Sequence, residues 1–282
     1  MNDLLLSPLS YPFFVRGLIA ALVVGAASAL VGTYVVLRGM AFLGDALAHA
    51  ILPGVAIGYI TGGGQQGPVF WWSLATAGIT SLAIGALSRG TKIREDTATG
   101  VLFAGMFALG IAIISRERTY AIDLAHFLFG DVLGVSRGDL LLTGAAALVV
   151  VVAVALLFKE FQVISFDPVL ATTLRLRTAL LENVLLILMA LTIVVALQTI
   201  GIALMVALLV TPAATAYLLT RRVWSMMLSA VGFSVFSALA GLYLSFYVGI
   251  ASGAAIVLVN TLVFVLVWGY RSLTGNRTAR RR

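Results

Sequence analysis

Two side chains able to bind a cation lie four residues apart in the stretch GDALAHAILP, residues 44–53. On a helix, Asp45 and His49 would lie about 40° apart around the axis and about 6 Å along it, so they share one face. A carboxylate and an imidazole together suit a borderline divalent cation such as zinc, manganese or ferrous iron. Two ligands fall short of the four of a tetrahedral zinc shell. A two-fold homodimer would supply the missing pair, and a transient, partly hydrated transport site also works with few ligands.

The second histidine of the chain, His126, lies in DLAHFLFGD with Asp123 before it on the same helical face. Asp123 and His126 can collect or guide a cation at the mouth of a pathway, or the histidine can be structural. Residues 122–136 are amphipathic and too short to cross a membrane, so they predict an interfacial or re-entrant helix.

The chain as a whole has the composition of an integral membrane protein. Of its 282 residues, 61% are hydrophobic and 10% are charged, and the mean hydropathy is +1.11, far more apolar than a soluble domain. Lipid tolerates only helices and closed barrels, and the period-two pattern of barrel strands is missing. We therefore predict an all-α membrane protein, a polytopic bundle of eight or nine transmembrane helices in a single domain, residues 1–282.

Apolar runs of spanning length recur along the sequence. They are residues 17–37, 69–87, 101–115, 140–158, 184–220, 223–244 and 248–270. Residues 182–220 are too long for one span, so the chain must turn near residues 198–201 or continue as a long helix into the cytoplasm. Residues 45–60 are short for a span.

Proline and glycine follow the Asp45–His49 pair. Pro53 and Gly54 would weaken the helix just beyond His49, as expected of a helix broken at a pathway. Gly54 and Gly58 form a small-xxx-small pair that permits close helix contact. A charged side chain at mid-bilayer costs about 2.5–3.5 kcal/mol, so the pair is expected to face the bundle interior or an aqueous cavity. Spacing alone leaves three roles open: metal binding, an internal Asp–His hydrogen bond that fixes packing, and proton relay.

Basic residues collect in the short polar breaks, as in cytoplasmic loops. They are Arg38; Arg89, Lys92 and Arg94; Lys159; Arg175 and Arg177; Arg221 and Arg222; and the tail RTARRR. The net charge of +7 is therefore explained by membrane topology, and no nucleic-acid partner is expected. The C-terminus is predicted to be cytoplasmic, with the charge-poor TGGGQQGP turn on the opposite side.

Several chemistries are absent from the sequence. The chain has no cysteine, which excludes disulfides and thiolate metal ligands. It has no G-x-x-x-x-G-K-[ST] phosphate loop, no H-E-x-x-H and no G-x-S-x-G. We therefore expect a chain that is not itself an enzyme, does not hydrolyse ATP and carries no permanent cofactor.

One polar stretch, KEFQVISFDPVLATTLRLRTALLEN at residues 159–183, lies between two apolar runs. Its Asp-Pro turn favours helix initiation and opens a short amphipathic helix. A cytoplasmic docking surface and a helix lying on the lipid surface are both compatible with this pattern.

The stretch VVLRGMAFLGDALAHAILPGVAIGY, residues 35–59, closely resembles the signature of a known family. That family comprises the permease subunits of bacterial zinc, manganese and iron importers of the ATP-binding-cassette type, also called cluster 9 or ABC-3. The resemblance extends over nearly the whole chain, through DLAHFLFGDVLGVS (123–136), SFDPVLATTL (165–174) and ALTIVVALQTIGIALMVALLVTPAATAYLL (190–219). Several separated motifs in the right order make it specific.

The resemblance implies a homodimeric channel in the bacterial cytoplasmic (inner) membrane, surrounded by lipid. A periplasmic or lipid-anchored metal-binding protein would feed this channel, and two copies of a separate ATPase would drive it. Asp45 and His49 match family positions that handle the metal at the dimer interface, which makes the pair a low-affinity transit site or gate. Transport would proceed by alternating access between outward-open and inward-open states.

The resemblance also indicates which residues bind the ATPase. They are Ala213, Ala214, Tyr217, Arg221 and Arg222, in and after VTPAATAYLL, together with Asp167 and Pro168 of the SFDPVLATTLRL helix. Many relatives carry glycine near Arg175, in an A-x-x-x-G pattern, so this arginine is a departure from the family.

Two rival functions fit the same residues. An importer of metal chelates such as siderophores would need a wide path and no coordinating side chains. A stand-alone proton-coupled carrier would use Asp45 and His49 to pass protons, but the amphipathic cytoplasmic segments would then have no purpose. The metal itself is left open, because aspartate and histidine serve zinc, manganese and iron alike.

Overall fold

The computed structural model of the chain describes residues 7–63, 66–91, 93–115 and 132–279. Asp123 and His126, and most of the predicted interfacial segment, lie outside the described residues. The helices are α1 (Pro12–Leu37), α2 (Ala41–Ala50), α3 (Leu52–Gly62), α4 (Gln66–Gly90), α5 (Glu95–Ile114), α6 (Arg137–Leu156), α7 (Phe158–Phe166), α8 (Pro168–Thr173), α9 (Thr178–Ile200), α10 (Ile202–Leu219), α11 (Val223–Val248) and α12 (Ser252–Ala279). Short 3-10 turns lie at Pro8–Ser10 and Val132–Gly134.

The part of the chain that the structure describes contains nine candidate membrane spans by length and composition. This confirms the helical membrane fold and selects the larger predicted count. The second span, Ala41–Gly62, consists of α2 and α3 together. The fourth is longer than its apolar run, because α5 begins at Glu95. The last two helices differ from their apolar runs, since α11 continues to Val248 and α12 starts at Ser252.

The long apolar stretch at residues 182–220 turns, as one of the two alternatives predicted. α9 ends at Ile200, and Gly201 adopts φ +81° before α10 begins. A positive φ of this size strains any residue with a Cβ, so glycine permits the turn. Two spans therefore replace one long helix.

The second span is broken directly after the predicted metal pair. Ile51 caps α2, and Pro53 lies in the first turn of α3. Pro53 has no N–H to donate to the carbonyl of His49, so the helical ladder loses a bond there. The predicted break beyond His49 is confirmed.

Small residues let α3 contact the backbone of α4. A Cβ added at Gly54 would collide with the carbonyl of Trp72, and one added at Gly58 would lie 2.6 Å from the Cα of Val69. The prediction of close contact through this glycine pair is therefore confirmed.

The centre of the bundle is formed by α1, which packs against α10 and α11 on one side and against α6 and α9 on the other. α9 also packs against α4, while α2 and α3 pack against α4 and α5. The predicted metal pair thus lies on a span held between the central helices and α5.

Candidate metal site

The turn between α1 and α2 places the pair near one end of the bundle. α1 ends in a Schellman motif, in which Gly39 N–H donates to the Val36 carbonyl at 3.1 Å and Met40 N–H to the Val35 carbonyl at 2.9 Å. Gly39 has the φ of +69° that this motif requires. The chain therefore reverses within a few residues, and α2 starts at Ala41.

α2 buries one face and leaves the other partly open. The buried residues are Leu43, Gly44, Ala46, Leu47, Ala48 and Ala50. The side chains of Asp45 and His49 are 43% and 30% exposed, respectively. The structure thus brings the predicted pair together on the accessible face of a buried helix, where a cation from an aqueous cavity could reach it.

The hydrogen bond of His49 fixes which ring nitrogen can bind a metal. His49 Nδ1 lies 2.9 Å from the backbone carbonyl oxygen of Asp45. A carbonyl oxygen only accepts, so Nδ1 carries the proton and Nε2 keeps its lone pair. An N–H bonded to a carbonyl in this way is the usual arrangement of a metal-binding histidine.

The side chains of the pair do not form the packing hydrogen bond that was one alternative. His49 Nδ1 lies 3.7 Å from Asp45 Oδ1, which is longer than a hydrogen bond. The imidazole is instead held by the backbone of its own helix. The Asp45 carboxylate lies on the Nδ1 side of the ring and makes no hydrogen bond to it.

Two phenylalanines of α5 lie against the imidazole. The ring centres of Phe103 and Phe107 are 6.0 Å and 5.8 Å from that of His49, in edge-to-face arrangements, and the two phenyl rings stack at 5.8 Å. Phe42 contacts Phe103 edge-on at 6.1 Å. We call Phe103 and Phe107 the aromatic wall. It restricts the rotation of the His49 ring and keeps water from that side of it.

The aromatic wall was missed by sequence reasoning. Phe103 and Phe107 share a helical face, because they are four residues apart. Their spacing is equally typical of lipid-facing residues, so the sequence carries no sign that they contact His49.

The described chain supplies few ligands to this site. Within the described residues there is no group of three or more His, Cys, Asp or Glu side chains that could hold a metal ion. Asp45 and His49 therefore form a two-ligand arrangement, which suits weak and reversible binding better than permanent retention.

The predicted ATPase-binding residues lie at the end of the bundle that carries Arg38 and Arg89, here called the basic end. Phe161 of α7 contacts Tyr34 of α1 with ring centres 5.5 Å apart. Phe158 contacts Trp224, at the start of α11, with ring centres 5.8 Å apart. These contacts place α7 and the loop before α11 at the same end as Arg38.

The residues of the first predicted docking segment differ in exposure. Ala213 is fully buried in a cluster with Ala29 and Met226, so it has no surface to offer a partner. Ala214 is half-buried, whereas Tyr217, Arg221 and Arg222 are exposed.

The second predicted segment is the short helix α8, opened by Asp167 and Pro168. Asp167 caps the helix, its carboxylate accepting a hydrogen bond of 2.9 Å from Leu170 N–H. Pro168 occupies the first turn, where a missing N–H costs nothing. Four large apolar side chains of this segment are exposed, Phe166 at 61%, Val169 at 75%, Leu170 at 46% and Leu174 at 56%.

Arg175 occupies the position that requires a left-handed backbone. α8 ends in a second Schellman motif, in which Arg175 N–H donates to Thr172 and Leu176 N–H to Ala171, at 2.9 and 3.0 Å. The φ of Arg175 is +57°, so glycine would fit with less strain. Arg175 therefore forms the same turn that glycine would form in the family pattern, although its backbone is more strained.

Comparison with known proteins agrees with this architecture. Residues 10–271 match the family described as "ABC 3 transport family". The manganese transport system membrane protein MntC of Listeria monocytogenes is 45% identical over 92% of this chain and 91% of its own length. The manganese import system permease protein ScaB of Streptococcus parasanguinis is 36% identical over 91% and 90%.

A solved structure shares the fold. The structure "PsaBC from Streptococcus pneumoniae in complex with Fab" contains a chain with 32% sequence identity and a TM-score of 0.82, and 95% of each chain is covered. The family match and the identities extend over nearly all of the sequence. This multi-pass membrane chain belongs to the ABC 3 transport family.

Proposed function

We propose that this chain is the permease of an ATP-driven importer that moves a divalent transition metal ion into the bacterial cytoplasm by alternating access, with Asp45 and His49 as its transit site. The observation that carries the proposal is the arrangement of His49. Its Nδ1–H is held by the Asp45 carbonyl, so Nε2 and the Asp45 carboxylate are available to a cation on the accessible face of a broken span.

Manganese is the first ion to test. MntC and ScaB, to which the chain is similar, are described as manganese transport proteins. A carboxylate and one imidazole suit manganese, iron and zinc, and the absence of cysteine removes the thiolate ligands that would favour zinc or copper.

The chain acts as a homodimer in this proposal. Two ligands per chain leave a metal ion mostly hydrated, whereas two copies related by a two-fold axis would supply two carboxylates and two imidazoles. The accessible face of α2 would then lie near the axis, with the two copies of Asp45 and His49 facing one pathway.

The basic end faces the cytoplasm in this proposal, following the positive-inside rule. In this proposal the nine candidate spans among the described residues all cross the membrane, which gives a cytoplasmic C-terminus and an extracytoplasmic N-terminus. The side opposite the basic end would receive a metal-binding protein, which delivers the ion toward Asp45 and His49.

A separate ATPase docks on α8 and on the loop between α10 and α11. The exposed apolar side chains of α8, Val169 and Leu170, lie outside the candidate spans and would be unfavourable in water without a partner. Asp167 supports this surface by capping α8, and Tyr217, Arg221 and Arg222 add to it. Ala213 is left out because it is buried.

Docking is tested by copurification of the ATPase with the detergent-solubilised permease. Val169→Glu is expected to release the ATPase, because it adds a charge to the apolar surface. Thr97→Glu adds the same charge to an exposed position at the same end, on α5, and is expected to retain the ATPase. Retention by both variants would contradict docking on α8.

The function is tested by uptake into proteoliposomes holding the chain, its ATPase and its binding protein. Manganese, iron and zinc are offered in parallel, to the unaltered chain and to Asp45→Ala/His49→Ala. ATP-dependent uptake that is lost in the double variant, with the ATPase still bound, is the expected result. The exposed Asp96, changed to Asn, controls for the loss of a carboxylate elsewhere.

Other outcomes would contradict parts of the proposal. Uptake that persists in the double variant would remove Asp45 and His49 from the pathway. Uptake of chelated iron without uptake of the free ions would establish a chelate importer. Uptake without ATP, driven by a pH gradient, would establish a proton-coupled carrier.

A further inference from the structure

Four charged side chains from four separate helical segments meet at the basic end. Arg38 Nη2 lies 3.1 Å from Glu95 Oε1 and 3.6 Å from Glu182 Oε1. Arg89 Nη1 lies 3.3 Å from Glu182 Oε2, and its Nη2 donates to Asn183 Oδ1 at 2.8 Å. We call Arg38, Arg89, Glu95 and Glu182 the ion cluster.

The ion cluster is held too firmly to be a chance surface contact. The side chains of Arg38 and Glu182 are only 11% and 17% exposed, so water screens them weakly. Two guanidinium groups balance two carboxylates, and removing one member would leave a half-buried charge without its partner. Each of the two glutamates is bound by an arginine, whose planar fork is suited to this geometry.

Arg38 connects the cluster to the metal site in two ways. It is the capping residue at the end of α1, immediately before the Gly39 turn that starts α2 and sets the position of Asp45. Its partner Glu95 is the first residue of α5, the helix that carries the aromatic wall against His49. The Arg38–Glu95 bond therefore ties together the two helices that form the site.

Glu182 connects the same arginine to the ATPase-docking segment. It lies in the first turns of α9, and α9 follows α8 after the short Arg175 turn. α7 also packs against α9. A displacement of α8 and α7 would therefore shift the start of α9, and with it the carboxylate that binds Arg38.

We propose that Arg38 is the positioning residue that couples the docked ATPase to the metal site, with Glu182 as its link to the docking segment and Glu95 as its link to the site. This inference rests on the proposed function. Movement of α8 driven by ATP pulls Glu182, Glu182 shifts Arg38, and Arg38 repositions α2 relative to α5. Asp45 and His49 thereby change their separation from the aromatic wall and release the ion.

The two bonds of Arg38 have different consequences when they are broken. Glu182→Gln removes the link to α9 but keeps the Arg38–Glu95 bond, so manganese binding is retained while transport per ATP falls. Arg38→Gln removes both bonds, so binding and coupling are both weakened. If these bonds only stabilised the fold, both variants would lower the thermal midpoint and leave the number of ions transported per ATP unchanged.

The experiment uses the complete transporter in proteoliposomes and measures manganese uptake, ATP hydrolysis and the thermal midpoint. Glu182→Gln is expected to lower the number of ions transported per ATP by about fivefold or more, the usual size of coupling between two sites. Asp96→Asn is the matched control, because Asp96 is an exposed acidic residue beside Glu95 in the first turn of α5. It should leave the ratio unchanged.

Further variants test the same bond. Glu182→Asp keeps the charge and shortens the side chain by one methylene. It should therefore lower the number of ions transported per ATP, but by less than Glu182→Gln does. It also replaces Glu182→Gln if that variant does not assemble. The Arg38→Gln/Glu182→Gln double variant should lower the ratio no further than Arg38→Gln alone, because the Arg38–Glu182 bond is already broken in Arg38→Gln.

The outcomes separate this inference from the proposed function. If the unaltered transporter shows no ATP-driven uptake, the proposed function fails and the coupling role fails with it. If the unaltered transporter moves manganese and Glu182→Gln and Glu182→Asp keep its ratio of ions to ATP, only the coupling role of Arg38 is overturned.

Discussion

The candidate metal site and the ion cluster both place charged side chains inside an apolar bundle, but they hold those charges differently. In the cluster, each carboxylate is bound by at least one guanidinium group, and Arg38 is nearly buried. In the candidate site, the side chains of Asp45 and His49 are partly exposed, and the imidazole is held through Nδ1. A charge with a permanent partner stabilises the fold, whereas a charge left accessible can bind a ligand that must leave again.

Removing the carboxylate of Asp45 should produce the largest effect on transport, with little effect on stability. Asp45→Asn keeps the size of the side chain and removes its charge. Because one of two ligands is lost, we expect manganese uptake to fall by about 100-fold, at the upper end of losses seen around metal sites. Since the Asp45 side chain is 43% exposed, the unfolding free energy should change by less than about 0.5 kcal/mol. Uptake and thermal unfolding of one preparation test both expectations.

Removing a charge from the ion cluster should instead lower the stability of the fold. Arg38→Gln leaves Glu95 and Glu182 without their shared partner, so we expect the unfolding free energy to fall by about 2 kcal/mol. The thermal midpoint of the detergent-solubilised protein measures this change, with Asp96→Asn as the control. A midpoint that falls equally in Asp45→Asn and Arg38→Gln would remove the distinction between the two regions.

The aromatic wall tests whether the site depends on orientation as well as on its ligands. Phe107→Leu keeps an apolar side chain but loses the ring edge against His49. We expect manganese binding to weaken by about tenfold, since groups that orient a metal-binding histidine contribute 10- to 100-fold in affinity. Phe236→Leu, at an exposed position of α11, is the control. Titration calorimetry would show equal affinities if the wall does not orient His49.

The predictable parts of this molecule are those determined by local sequence. The lengths of the apolar runs predicted the spans. Gly201 permits the turn between α9 and α10, and Pro53 causes the break after His49. Asp45 and His49 could be paired from their spacing because a helix brings such residues together. Capping of α8 by Asp167 followed equally from its Asp-Pro sequence.

The parts that could not be predicted depend on contacts between distant residues. Arg38 and Glu95 are 57 positions apart, and Arg89 and Glu182 are 93 apart. In the sequence each resembles an ordinary charge at the end of a span. The burial of Ala213 and the contact of Phe103 and Phe107 with His49 likewise depend on how α1, α5, α10 and α11 pack, which propensity and periodicity do not specify.

The smallest expected effect distinguishes the turn before the candidate site from the turn after α8, the proposed docking helix. Both are Schellman motifs, but Gly39 occupies the left-handed position in one and Arg175 in the other, at φ +69° and +57°. A Cβ at Gly39 would meet no atom within 4 Å, so Gly39→Ala isolates the backbone strain. We expect it to cost about 1 kcal/mol, while Arg175→Gly should relieve about the same amount.

Hydrogen exchange at the amides that close the two turns measures these opposite changes. A shift of about 1 kcal/mol corresponds to about a fivefold change in protection. Protection of the Met40 amide should therefore fall in Gly39→Ala, and that of the Leu176 amide should rise in Arg175→Gly, since both amides donate the closing hydrogen bond of their motif. If Arg175→Gly instead lowered protection, the arginine side chain would be stabilising the turn by more than its backbone strain costs. The docking segment would then be held by a contact of its side chain, whereas the turn before Asp45 would be held by its backbone alone.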